Sequence, residues 1–81
     1  MPMTLAEVEL EVPVRVSGFL SLSEAERCRL SALGVREGAA VTKLLKLPLR
    51  DPVECLVGPQ LLAIESRLLH RIVVEPQPVR P

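Results

Sequence analysis

A chain of 81 residues with ten basic and ten acidic side chains carries no net charge, and one phenylalanine is its only aromatic residue. Nucleic-acid binding depends on a basic excess and, for single strands, on stacking aromatics, so the composition argues against a nucleic-acid partner. With 48% apolar residues, the chain is expected to form one small folded domain rather than a disordered segment.

The N-terminal residues 1–12 are acidic and alternating, and no basic stretch precedes an apolar run, so they do not resemble a signal peptide. No apolar run approaches the roughly 18 residues that a membrane-spanning helix needs. We therefore expect a cytoplasmic protein without membrane insertion. Cys28 and Cys55 match no disulfide framework or CxxC motif, and in a reducing compartment both should stay thiols.

The first predicted strand covers residues 13–19. Val14 and Val16 share one face, but Gly18 interrupts the alternation and leaves Phe19 on the wrong side. A β-bulge at Gly18 would return Phe19 to the core.

A helix is predicted next, over residues 24–33. Ser23 followed by Glu26 is a capping-box pattern, and Gly34 suits the left-handed conformation that ends many helices. Val35 should then point into the core, before a turn at Gly38. The helical residues expected to face the core, by their spacing of three and four, are Ala25, Cys28 or Arg29, Leu30 and Leu33.

The rest of the chain predicts short strands at close spacing. These strands cover residues 39–47, 53–57, 60–65 and 71–75. Strand 39–47 has no clean polar face. Gly58-Pro59 fits a type II′ hairpin turn, and residues 66–70 fit one helical turn.

Five short strands with one helix inserted after the first are typical of a small closed or nearly closed β-barrel, so the predicted fold class is mainly β. The barrel domain should cover residues 1–75. Residues 76–81 hold three prolines and are predicted to be a Pro-rich tail.

No recognisable catalytic motif is present: there is no GxSxG and no phosphate-binding loop, so we expect neither an enzyme nor a cofactor. Cys28, Cys55 and His70 are the main candidate soft metal ligands. Structural zinc ligands come in close pairs, whereas these three are isolated, so packing is the favoured role of both cysteines and no metal site is predicted. A metal-binding or sensing module that uses these three residues remains an alternative.

Protein binding is the remaining function, and two surfaces are candidates. Apolar residues with a charged rim are typical of protein contacts. The first surface consists of Leu44, Leu45, Leu47 and Leu49, edged by Lys43, Lys46 and Arg50. The second is the exposed helix face with Arg27 and Arg29. Completion of the core by the leucines, and self-association through them, are the alternatives.

Several of these features, in this order and spacing, resemble the ferrous iron transport protein A (FeoA) family over about residues 4–75. They are the helix end Leu33-Gly34-Val35, Gly38, Val41, the loop "PLRDP" at 48–52, Gly58, and Ile72 with Val74. Three residues depart from the family pattern. Glu11 stands where glycine is common, Lys43 replaces an apolar residue, and Glu65 stands where a basic residue is common.

The resemblance implies an SH3-like β-barrel in a small cytosolic protein. It also implies a partner, the membrane ferrous-iron transporter FeoB with its cytosolic G-domain. FeoA-like domains also occur in iron-dependent repressors resembling DtxR. Since this chain starts with methionine and has no DNA-binding helical domain, the standalone form is the favoured expectation.

Overall fold

The computed structural model describes residues 3–45 and 51–77, which form six strands, two α-helices and one 3₁₀ helix. The strands are β1 Met3–Thr4, β2 Val14–Phe19, β3 Ala40–Leu45, β4 Val53–Val57, β5 Gln60–Ile64 and β6 Ile72–Pro76. The helices are the 3₁₀ helix Leu5–Glu7, α1 Glu24–Ala32 and α2 Ser66–Leu69.

All strand pairs are antiparallel, and the sheet order is β1-β6-β2-β3-β4-β5. Within the described residues, β1 and β5 are the two edges of this single sheet. The predicted mainly β class, with a helix after the strand that begins at Val14, is confirmed. The additional strand is β1, which pairs with β6 through Met3 and Val74.

The predicted bulge in β2 is present. The register of β2 against β6 shifts between Val16 and Gly18, and Phe19 then packs, half-buried, against the core. A second shift lies in β3 between Lys43 and Leu45, where this strand pairs with β4. This second irregularity accounts for the lack of a clean polar face in residues 40–45.

Both predicted ends of α1 are confirmed. The Ser23 hydroxyl accepts a hydrogen bond from the Glu26 backbone N–H at 3.1 Å, and the Glu26 carboxylate accepts one from the Ser23 N–H at 3.3 Å. Beyond the last turn, Gly34 has a φ of +96°. This is the left-handed backbone that favours glycine, and it sends the fully buried Val35 into the core.

The predicted buried face of α1 is largely wrong. Leu30 is the only buried residue of the helix, whereas Leu33 is 42% exposed, and Ala25 and Cys28 are exposed as well. The reason is that the core contact is made by Leu30 near the end of the helix and by Val35 just after it. Leu30 and Val35 therefore make this contact, and the other apolar residues predicted to face the core are exposed to solvent.

The strands from β4 onward follow the predicted alternation closely. Val53, Cys55 and Val57 are buried in β4, and Gly58 has the positive φ, +57°, that the predicted hairpin turn requires. The complete core of the described residues consists of Leu5, Val8, Val14, Val16, Leu30, Val35, Val41, Val53, Cys55, Val57, Ile64, Leu68, Leu69, Ile72 and Val74.

The N-terminal segment 3–12, in which no helix or strand was predicted, covers one part of this core. Leu5 is fully buried and Val8 nearly so. The backbone N–H of Thr4 donates to the Glu7 carboxylate at 2.7 Å, which closes the short 3₁₀ helix. The pattern Thr-x-x-Glu at residues 4–7 is itself a capping-box signal and could have predicted this turn.

Lys43 ties this segment to the sheet. Only 7% of this residue is exposed, and its Nζ donates to the Ala6 carbonyl oxygen at 3.3 Å. The Glu11 N–H donates to the Lys43 carbonyl oxygen at 2.7 Å, and Glu11 adopts a φ of +68°. Position 11 is thus a left-handed position that favours glycine, and position 43 is a core position that favours an apolar residue.

The C-terminal strand β6 runs to Pro76, which lies opposite Val14 at the end of the strand. Most of the predicted Pro-rich tail, residues 78–81, lies outside the described residues. The longest helix within residues 3–45 and 51–77 is α1, with 9 residues, and none of the helices there could span a membrane.

Candidate partner-binding site

The first candidate surface lies only partly within the described residues. Lys46, Leu47, Leu49 and Arg50 lie outside the described residues, and of the remainder Leu44 is half-buried in β3 while Leu45 ends that strand. Lys43 was expected on the rim of this surface, and that expectation is wrong. It shares the buried face of Val41, so its charge points inward to Ala6.

The second candidate pair, Arg27 and Arg29, lies exposed on α1 as predicted. The guanidinium carbon of Arg27 lies 5.5 Å from the centroid of the Phe19 ring, which is within the range of a cation–π contact. This contact holds Arg27 against the body of the domain while its N–H donors stay accessible.

Arg27 and Phe19 belong to a surface cleft of about 640 Å³, which we call the α1 cleft. It lies between α1, the end of β2 and the turn after the helix. Its lining residues are Phe19, Leu22, Glu24, Arg27, Cys28, Ser31, Val35, Arg36 and Glu37.

The α1 cleft has an apolar floor and a charged rim. The floor consists of Phe19, Leu22 and Val35, which are half-buried or buried, whereas the four charged residues of the lining are exposed. An apolar centre within a polar rim is the arrangement found in protein–protein contacts. Arg29 does not line the cleft, so the structure separates it from Arg27.

The helix that forms one wall of the cleft is held by an ion pair with α2. Arg67 Nη1 lies 2.8 Å from Glu26 Oε2, and Arg67 Nε lies 3.3 Å from Glu65 Oε2. The hydrogen bond from Arg67, followed by the one from the Ser23 backbone, lowers the pKa of Glu26 below 4.5. Glu26 is therefore ionised at neutral pH and joins the start of α1 to α2.

The opposite rim is held by Arg36. Its Nη2 donates to the Ser31 carbonyl oxygen at 3.2 Å, near the end of α1. A cation at the C-terminal end of a helix is favoured by the helix dipole. Two arginines, Arg27 and Arg36, are thus positioned at the cleft by contacts within the domain.

The cysteines and the histidine are not brought together into a metal site. Cys28 is exposed on α1, Cys55 is fully buried in the core and His70 is exposed after α2. Burial raises the pKa of the Cys55 thiol to about 11, against an opposing effect of the Lys43 charge. The Cys55 thiol is therefore protonated at neutral pH and packs as an apolar side chain. Residues 3–45 and 51–77 contain no group of three or more His, Cys, Asp or Glu side chains that could hold a metal ion.

The sequence placed Phe19 on the core side and Arg27 on the helix surface, but it did not predict their contact. That contact depends on the orientation of the Phe19 ring, which is determined by the bulge at Gly18 and by the loop that leads to Ser23. Arg36 was missed as well. A basic residue just after a helix stop is the signal that could have indicated it.

The fold and the cleft define a small SH3-like domain with a surface suited to protein contact. A family model described as the FeoA domain matches residues 3–76, and the chain therefore belongs to the FeoA family, which is associated with ferrous iron transport. The resemblance noted from the sequence is confirmed.

Solved structures agree with this assignment. The solution structure of the FeoA protein from Chlorobium tepidum is 30% identical, with a TM-score of 0.80, 89% of this chain covered and 68% of that chain. Iron(II) transport protein A from Clostridium thermocellum is 26% identical, with a TM-score of 0.79, and the match covers 90% of this chain and 44% of that chain. Comparison with curated proteins gives no match.

A crystal structure of the FeoA protein from Stenotrophomonas maltophilia, in complex with zinc, is also similar. It is 30% identical, with a TM-score of 0.75, and the match covers 90% of this chain and 89% of that chain. That protein is described as a prokaryotic SH3 domain protein and a candidate activating factor of ferrous iron transport. The predicted SH3-like class is thereby confirmed.

Proposed function

We propose that this protein binds the cytosolic G-domain of the ferrous iron transporter FeoB in the cytoplasm and thereby modulates ferrous iron uptake. The observation that carries the proposal is the match of the FeoA domain to residues 3–76, nearly the whole chain. In the same proposal the chain catalyses no reaction itself, and its effect is exerted through contact with the transporter.

The α1 cleft is the contact surface that this proposal favours. Phe19 and Leu22, the half-buried part of its floor, would bury apolar area against a side chain of the partner, and burial of apolar area is the main source of affinity. Arg27 and Arg36, already positioned at the rim, would donate hydrogen bonds to a partner carboxylate. Pre-positioned side chains lose less conformational entropy on binding.

The other predicted contact residues form a second part of the proposed surface. Arg29 extends the exposed face of α1 beyond the cleft. Leu44, Leu45, Lys46, Leu47, Leu49 and Arg50 remain a proposed contact segment.

The experiment is a calorimetric titration of the isolated transporter G-domain with this protein. We expect Arg27→Glu to weaken binding at least about tenfold, because it removes a rim cation and its contact with Phe19. Arg29→Glu makes the same charge change at the edge of the proposed surface, outside the cleft lining, so it should also weaken binding, but less than Arg27→Glu does. An absence of binding by the wild-type protein, or equal losses in both variants, would count against the cleft as the contact surface.

A further inference from the structure

The edge strand β5 contains no charged residue, proline or bulge that would protect a sheet edge. Proteins commonly place a lysine, a proline or a bulge in such a strand. β5 reads Gln-Leu-Leu-Ala-Ile, without a charge or a proline, and its register against β4 is regular throughout. Leu61 is 59% exposed, and Ala63 is exposed on the same face.

The hairpin register fixes which backbone groups of β5 face outward. Val57 lies opposite Gln60 across the two-residue turn, so these two residues exchange hydrogen bonds, as do the pairs two residues further along each strand. The N–H and C=O groups of Leu61 and Ala63 lie between those pairs and point away from β4. Within the described residues, no strand pairs with this side of β5.

We propose that β5 pairs antiparallel with β5 of a second copy of this chain, around a two-fold axis at Leu62. In this register Leu61 of each copy lies opposite Ala63 of the other. These are the residues whose amide and carbonyl groups point outward, so each such pair exchanges two backbone hydrogen bonds. The large exposed side chain of Leu61 also packs beside the small one of Ala63.

A second copy is favoured as the occupant because the edge is complementary to itself. Gln60 meets Ile64, and Glu65 meets Pro59, so the two-fold register opposes no like charges. The zero net charge of the chain adds no long-range repulsion between copies. An edge of five residues buries less than the roughly 800 Å² per partner of a standard interface, so the dimer forms in the high micromolar to millimolar range.

Sedimentation equilibrium from about 10 μM to about 1 mM protein tests the dimer directly. We expect a monomer–dimer equilibrium that Ala63→Pro weakens at least about tenfold, because proline removes one outward N–H from each copy. The internal hairpin keeps its ladder, since Ala63 does not hydrogen-bond to β4. Leu20→Lys is the control. It charges a leucine that is 41% exposed after β2, several strands from β5, and should leave association unchanged.

A charge swap tests the register without a proline. Leu61→Lys with Ala63→Lys places lysines opposite each other in the two-fold dimer, so this double variant should be monomeric. The corresponding double glutamate variant should be monomeric for the same reason. A mixture of the two should recover a heterodimer, because every lysine then faces a glutamate. Circular dichroism of each variant checks that the fold is retained.

Three results would overturn the proposal. The first is that the wild-type protein is monomeric at every concentration. The second is that Ala63→Pro folds but leaves self-association unaffected. The third is that the mixture of the double lysine and double glutamate variants stays monomeric. A monomeric wild type whose binding to the transporter domain is weakened by Ala63→Pro would instead assign the β5 edge to strand addition by that partner.

Discussion

Glu26 of α1 accepts a hydrogen bond from Arg67 of α2 across 2.8 Å while it also caps its own helix. One carboxylate therefore orients the helix that forms a wall of the α1 cleft and completes the start of that helix. Arg67 is in turn held by Glu65, at 3.3 Å. This ion pair thus joins two short helices that lie far apart in the sequence.

Replacement of Glu26 by glutamine should lower stability at neutral pH and change its pH dependence. The pKa of Glu26 is lowered in the folded protein, so its stabilising effect is present above the unfolded value of 4.5 and is lost as the pH falls through the folded pKa. Glutamine keeps the capping hydrogen bond but not the charge. The difference in Tm between wild type and Glu26→Gln should therefore narrow as the pH falls below 4.5.

Thermal melts at a series of pH values measure this difference, and Glu54→Gln on the exposed side of β4 serves as the control. A difference that stays constant from neutral to strongly acidic pH would show that the Glu26 charge has no part in stability.

Glu11→Gly should stabilise the protein. Glu11 adopts a φ of +68°, a conformation that costs a residue with a Cβ about 1 to 2 kcal/mol. Glycine removes this cost but adds entropy to the unfolded chain, so a net gain of about 0.5 to 1 kcal/mol is expected. Glu9→Gly, at a neighbouring exposed position without a positive φ, should be neutral or destabilising. Urea unfolding of both variants decides the matter, and a loss of stability in Glu11→Gly would contradict the assigned backbone.

Gly34→Ala should destabilise by about 1 to 2 kcal/mol because of its backbone alone. A Cβ at position 34 would lie 3.8 Å from Val57 Cγ1, which is an ordinary contact. The backbone φ of Gly34, however, is +96°, which disfavours any residue with a Cβ. Gly18 has open space around a Cβ and no positive φ, so Gly18→Ala is the matched control and should cost far less. Equal effects of the two substitutions in urea unfolding would show that the left-handed helix end does not limit stability.

The two cysteines should differ sharply in reactivity. Cys28 is exposed on α1, whereas Cys55 is fully buried and burial raises its pKa to about 11. The thiolate is the reactive form of cysteine. A disulfide reagent near neutral pH should therefore modify Cys28 quickly and Cys55 only after unfolding. Cys28→Ser should abolish the fast phase and Cys55→Ser should leave it intact. Two fast phases in the native wild-type protein would contradict the buried position of Cys55.

Local signals in the sequence predicted most of the fold. The preferences that predicted the helix start and the two turns depend only on near neighbours in the sequence. They are the capping box of Ser23 with Glu26 and the left-handed backbone at Gly34 and Gly58. The predicted alternation that buries Val53, Cys55 and Val57 was confirmed for the same reason. The position of Val35 followed from the helix end beside it.

Features that depend on distant parts of the chain were not predicted. The buried face of α1 is narrow because only Leu30 reaches the core, and the helical spacing of Cys28 and Leu33 could not show this. Lys43 is buried because the segment around Ala6 folds over it and accepts its hydrogen bond. The contact of Arg27 with Phe19 likewise depends on the path of the loop between them.

The most direct test of the proposed function is an NMR titration of the ¹⁵N-labelled protein with the unlabelled G-domain of the transporter. We expect saturable shifts at the α1 cleft, at Phe19, Arg27, Ser31 and Arg36, and much smaller changes at Val73 in β6. Arg27→Glu should reduce the shifts at the other cleft residues. No saturable shifts, or shifts that avoid the cleft and persist in Arg27→Glu, would contradict the proposal that this domain binds the transporter through α1.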